Sequence, residues 1–129
     1  MTAVAAATAV APAELTAFVD QLTILLRGCQ RGPVEVLDKP LAELLRERLG
    51  PRVSETPVRS PAVVIDTSGS PERIRDGLQR LADLGTLVLS SRPGGEVSMN
   101  LYADLHLRSL SIVVIVAPDS LGQAARQQR

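Results

Sequence analysis

The apolar positions change period several times along the chain, and each change marks an element. Leu15, Phe18, Val19, Leu22, Leu25 and Leu26 recur at spacings of three and four. That spacing predicts a helix with one buried stripe. Pro12 stands where the first turn tolerates it, and Gly28 and Gly32 bracket the end. Val34 to Asp38 is a short β-rich run that ends in an acid. Pro40 opens a second helical pattern, with Leu41, Leu44, Leu45 and Leu49 on one face and Gly50-Pro51 as its stop. Arg52 to Pro61 is a polar loop with room for at most a very short strand. Ala62 to Ile65 is a continuous apolar run, as expected of a central parallel strand covered on both faces.

Asp66-Thr67-Ser68-Gly69-Ser70 ends that run, and Ser70 before Pro71 is a strong helix start. Ile74, Leu78 and Leu81 mark the third helix, which the pattern closes near Gly85. Thr86 to Leu89 reads as the next buried strand and Ser90 to Gly95 as a turn-rich loop. In the mixed segment from Ser98 to Leu107, the residues Leu101, Leu105 and Leu107 are expected to point inward. Leu110 to Val116 is the most β-prone run in the chain.

Helices thus alternate with apolar strands, which predicts an α/β domain with a mainly parallel sheet. Right-handed crossovers put helices on both faces, giving three layers of Rossmann-like kind. The length of 129 residues suits one domain, 1–129. Thr2–Ala11 is either a small-residue first strand or an Ala-rich tail, and 118–129 is a polar tail.

Composition narrows the function. Fourteen basic residues balance 14 acidic ones, so the basic excess of a nucleic-acid binder is missing. Aromatics are 2%, too few for a stacking platform. One cysteine, Cys29, excludes an internal disulfide framework, and one histidine, His106, excludes a multi-His metal site within the chain. No metal is expected. No apolar run approaches the roughly 20 residues of a membrane span. The start lacks a basic n-region, and with a free thiol this points to the cytoplasm.

Three segments carry a resemblance. PVEVLDKPLAELLRERLG, AVVIDTSGSPERIRDGLQRLADLGTLVLSSRPG and NLYADLHLRSLSIVVI together resemble the nucleotide-binding domain of the medium-chain dehydrogenase/reductase family, from its second strand onward. The middle segment is the most specific. The likeness covers Pro33 to Val116 and implies a Rossmann fold. Members of that family carry a separate catalytic domain, often with a Cys/His/Glu zinc site, which this sequence does not encode. The family's G-x-G-x-x-G turn is also absent: the best overlay puts Ala7, Ala9 and Pro12 at the three glycine positions. Each glycine there has a purpose, from the tight bend to close approach of the pyrophosphate. An alanine Cβ would obstruct that approach, so no cofactor is expected, with NAD(P) as the alternative.

The resemblance and the strand ends together give candidate residues. In the family the acid at the position of Asp38 holds the adenosine ribose; the plainer role is capping the helix begun at Pro40. Asp66, Thr67, Ser68 and Gly69 end a central strand, where ligands of open α/β sheets gather, and a desolvated Asp66 could transfer protons. The plainer role is turn chemistry. Ser90, Ser91 and Arg92 end the next strand and would face the same crevice, with Arg92 suited to a carboxylate or phosphate. Tyr102, Asp104 and His106 would share one side of an extended segment, and histidine is the side-chain type whose unperturbed pKa lies nearest neutrality. Tyr102 and His106 therefore join Asp66 as catalytic candidates, against a structural role.

The resemblance further implies that the last strand, Leu110–Val116, joins a twofold mate in a homodimer. The expected function is that of a stand-alone dehydrogenase-like domain put to non-redox use on a small metabolite, in a biosynthetic setting. If an enzyme, it would be of acid/base type (isomerase, lyase or cyclase) rather than hydride-transferring. The alternatives are an NAD(P)-dependent oxidoreductase subunit completed by a partner chain, and a catalytically silent dimeric interaction module.

Overall fold

The computed structural model describes residues 13–29 and 31–118. The first-strand reading of Thr2–Ala11, the glycine overlay on Ala7, Ala9 and Pro12, and the tail beyond Pro118 lie outside them. Helix α1 (Ala13–Gly28) buries Phe18, Val19, Leu22 and Leu26, while Leu15 and Leu25 pack at its margin. Strand β1 (Val34–Val36) follows, and then helix α2 (Lys39–Leu49), which buries Leu41, Ala42 and Leu45. Gly50 ends α2 with a φ of 77°, a backbone angle that favours glycine. The polar loop holds only a two-residue strand, β2 (Val53–Ser54).

Strand β3 (Val63–Asp66) is buried at all four positions. Helix α3 (Pro71–Arg80) starts as its sequence predicts, with the Ser70 hydroxyl accepting from the Arg73 amide and Pro71 in the first turn. It stops at Arg80, earlier than the spacing suggests, because Leu81 turns to an extended conformation (ψ 141°). Strand β4 (Thr86–Leu89) and strand β5 (Ser111–Val114) complete the sheet.

The sheet has the order β2-β1-β3-β4-β5 and every pair is parallel. The α/β, Rossmann-like expectation is met. One face carries α1 and α2 over Val34, Val36, Val63, Ile65 and Val88. The other carries α3, whose Ile74 and Leu78 pack on Val64 and Leu87. Leu22, Leu26, Leu41 and Leu45 have no exposed surface; each such side chain stabilises by about 1.5–3 kcal/mol.

The connection from β4 to β5 departs from expectation. Leu101–His106 is a six-residue π-helical turn, not an extended segment. The Asn100 side chain nucleates it by accepting from the Tyr102 and Ala103 amides. The turn exposes Leu101 (69%) and Leu107 (61%), which alternation had placed inside. Leu105 alone of the three packs inward, beside Val97, Met99 and Leu110.

Candidate functional site

Helix α2 leaves β1 on one face of the sheet, and α3 leaves β3 on the other. A crevice opens where such departures diverge, at the carboxyl ends of the two strands. Here it is lined by Leu37, Asp66, Thr67, Ser68, Arg73 and Arg80, among others. Its cavity volume is about 30 Å³, room for a water molecule or two.

Asp66 is 8% exposed, and its carboxylate is already engaged. One oxygen accepts from the Ser68 hydroxyl at 2.7 Å and the other from the Gly69 amide at 2.9 Å. The Ser68 hydroxyl in turn accepts from the Ser70 amide at 3.0 Å. This is a turn held by its own side chains, and it leaves the Asp66 carboxylate at the crevice wall. Thr67 and Ser68 are half-buried beside it.

The loop after β4 meets this turn. Gly69 has a φ of +70°, and a Cβ there would lie 2.3 Å from the Arg92 carbonyl oxygen. The Gly94 amide donates to the Gly69 carbonyl at 2.8 Å. The two loops are thus clasped, which brings Asp66–Gly69 beside Ser90–Arg92. Ser90 is 1% exposed, and its hydroxyl has no hydrogen-bond partner among the described residues. Ser91 is half-buried. Arg92 is exposed, and its guanidinium makes no hydrogen bond or ion pair among the described residues.

Other candidates fall elsewhere. Asp38 caps α2, its carboxylate accepting from the Leu41 amide at 3.0 Å. Tyr102 and His106 stack, with ring centroids 5.5 Å apart and planes at 21°. They sit before β5, toward the amino ends of the strands, so the structure does not bring them to Asp66. Asp104 does not share their side. It bonds Arg75 at 3.0 Å and accepts from the Asn100 amide. That amide holds the Asp104 carboxyl below its ordinary value, burial opposes it, and Arg75 adds to it.

Sequence reasoning missed the strongest polar feature. Glu35, in the middle of β1, has no exposed surface. Arg80 grips it with both terminal nitrogens, at 2.7 and 2.6 Å. The Val58 amide donates to the same carboxylate at 2.9 Å, and Arg80 returns a bond to the Val58 carbonyl. Hydrogen bonding to Glu35 raises the proton affinity of Arg80 above its ordinary value, partial burial opposes it, and Asp76 adds to it. The signal was available: an acid between two valines in a strand buried on both faces requires a buried partner.

Solved structures share this fold, two dehydrogenases among them. One is 2R,3R-butanediol dehydrogenase from Bacillus subtilis, at 13% identity and a TM-score of 0.56, over 89% of this chain and 44% of that one. The other is D-arabinose dehydrogenase from Sulfolobus solfataricus, at 16% identity and a TM-score of 0.50, over 92% and 49%. The chain therefore spans about half the length of the dehydrogenases it resembles. At such identity the likeness establishes the fold alone. No protein-family model and no curated protein matches the chain.

The nicotinamide dinucleotide that the resemblance implies does not fit the donor set of this crevice. Three carboxylates, of Glu35, Asp66 and Asp76, outnumber the two guanidiniums of Arg73 and Arg80 around a water-sized cavity. The acid expected on the ribose, Asp38, caps a helix through one of its two oxygens. Among the described residues no group of His, Cys, Asp and Glu is arranged to hold a metal, and no helix is long and apolar enough to cross a membrane.

Proposed function

We propose that this chain is a dehydrogenase-like domain put to non-redox use on a small metabolite, without a dinucleotide. The metabolite sits at the carboxyl ends of β3 and β4. One observation supports the reading: the clasp of Gly69 against the Arg92 backbone, which puts the turn bearing Asp66, Thr67 and Ser68 beside the loop bearing Ser91 and Arg92. Arg92 suits a carboxylate, and Asp66 would accept or return a proton once a ligand displaces one of the turn's own donors. A small hydroxy or keto acid matches that pair. Tyr102 and His106 form a separate candidate, tested by substituting each once an activity is assigned.

Chemical-shift mapping with a panel of small hydroxy and keto acids tests the site. Shifts are expected at residues 66–70 and 90–92, and they are expected to vanish in Arg92→Ala. Shifts confined to other parts of the chain would refute the site. A second reading, an oxidoreductase part completed by further protein, draws on the fold shared with two dehydrogenases. Saturable binding of NADH or NADPH would favour it.

The same proposal includes a homodimer through Leu110–Val116 in the cytoplasm. In support, β5 lies at the sheet edge with Val114 66% and Val116 73% exposed. Exposed apolar edges of this kind favour pairing with a second chain. Light scattering at high micromolar concentration checks it, and a monomer there would refute it.

A further inference from the structure

Within one chain the candidate residues are split between two ends of the sheet. Asp66–Gly69 and Ser90–Arg92 meet at the carboxyl ends of the strands, as one ledge. Tyr102 and His106 stack at the amino ends, before β5. The free edge of β5 bears on whether they stay apart. Natural edge strands are blunted by a lysine, a proline or a bulge. Strand β5, Ser-Ile-Val-Val, has neither charge nor proline, and it pairs with β4 in unbroken register. The groove between α1 and the end of β5 is lined by Gln21, Ile24, Leu25 and Val114–Val116, again without a charge. Such an edge suits its own copy, because no like charges meet across a twofold axis.

A twofold axis that pairs one edge strand with itself stands normal to the sheet and makes the pair antiparallel. With the run Leu110–Val116 paired about its middle residue, Val113, the partner's Leu110 comes opposite Val116. The end of that run lies beside Ser90: the Leu89 carbonyl accepts from the Ile115 amide, and the Ser90 carbonyl from the Ala117 amide. The partner's Leu110 therefore stands level with Ser90 and two strand spacings away, about 10 Å. The partner's His106 comes with it, since the Leu110 amide donates to the Leu105 carbonyl at 3.0 Å and folds the π-helical turn back on the start of β5. The face agrees too. Leu105, Leu110 and Ile112 pack on the α3 side of the sheet, with Ile74 and Leu78. The loop bearing Arg92 crosses the start of α3, where a Cβ on Gly95 would lie 3.4 Å from Pro71. An axis normal to the sheet keeps both on one side.

We infer that the ligand site is shared between two copies: Ser91 and Arg92 of one chain form its ledge, and the partner's Tyr102 and the partner's His106 close it. This deepens the reading above and rests on both its ledge and its homodimer. What it adds is a free acid–base group. Both oxygens of Asp66 are held within its own turn. His106 is exposed, and its imidazole makes no hydrogen bond or ion pair among the described residues. Stacking on Tyr102 orients the ring. Arg92 would hold the carboxylate of a small hydroxy or keto acid, and the partner's His106 would take up or return a proton at the adjoining hydroxyl or carbonyl. The twofold axis makes two such sites in each dimer.

Spin labelling in mixed dimers tests this without an assigned activity. A Cys29→Ser/Arg92→Cys chain of natural isotopic abundance carries the nitroxide and is mixed in excess with isotope-enriched wild-type chain. Broadening of the enriched signals then reports contacts between chains alone. The amide signals of residues 102–106 and 109–110 are expected to lose most of their intensity, while light scattering on the same sample gives a dimer. A dimer whose strongest broadening falls outside residues 101–110 would overturn the shared site and leave the ledge and the homodimer standing. A monomer would overturn the homodimer and the shared site together. The expected broadening, with no hydroxy or keto acid shifting residues 90–92, would overturn the ledge and the shared site but not the pairing. A Cys29→Ser/Ser91→Cys chain repeats the measurement from the next residue where the first variant does not fold.

Discussion

Strands β3 and β5 are both four-residue parallel strands, and their surroundings could hardly differ more. β3 has a hydrogen-bonded neighbour on each side and helices over both faces, and all four of its residues are buried. Among the described residues β5 has one neighbour, β4, and both its end residues are exposed. The core is therefore complete around the β1–β3 seam and incomplete along β5. The complete half carries the buried ion pair. The open half is where a second chain can still add contacts.

The sharpest way to break this contrast is to shave the two strands alike. Ile65→Ala should cost about 3–4 kcal/mol of stability, the usual toll of a core truncation. Val114→Ala should stay within about 0.5 kcal/mol for the isolated chain, as exposed positions do. Urea denaturation measures both, and equal losses would mean that β5 is as well covered as β3. Glu35→Ala comes next. It strands Arg80 against the sheet and should cost about 3 kcal/mol. The double variant Glu35→Leu/Arg80→Met should recover most of that loss, since an apolar replacement of a buried pair is often neutral. No recovery would mean that the pair holds the Val58 loop in a way packing cannot replace.

A smaller effect tests the clasp beside the seam. Gly69→Ala must adopt a left-handed angle and displace the Arg92 carbonyl, at a cost of about 2 kcal/mol. Its crosspeaks at residues 90–94 should shift along with its own loop. The smallest effect lies on the open side. Asp104 has its pKa depressed in the folded chain, so its contribution is present above the unfolded value of about 3.9 and lost as pH falls through the lower folded value. Asp104→Asn should therefore flatten the acid limb of the stability profile below about pH 4 and leave neutral stability almost unchanged. An unaltered acid limb would show that Asp104 does not hold the π-helical turn to α3.

Much of this architecture was legible in the residues. The stripe on α1, the Ser70-Pro71 start of α3 and the buried run at β3 all depend on near neighbours in sequence, and each formed where the spacing put it. What escaped depends on distant partners. The direct pairing of β1 with β3 joins residues across a whole helix and a loop. Glu35 finds Arg80 from the far side of α2. The π-helical turn replaced an alternating segment because Asn100 offers its side chain to two amides at once, a local device that alternation cannot see. The candidate ledge was half legible: Asp66–Gly69 and Ser90–Arg92 do meet, while Asp38 serves α2 and His106 lies at the other end of the strands.

Arg108 gives the open half a place in time. Its guanidinium donates to the carbonyls of Leu78 and Leu81, at the end of α3, and its own carbonyl accepts from the Leu84 amide. A chain made from its amino end has synthesised every strand that pairs with β1 and β3 before it reaches this arginine. The final carbonyls of α3 must wait for it. On the ribosome, then, the pairing of β1 with β3 can form while the last turn of α3 is still unfinished, and β5 is the strand that docks last.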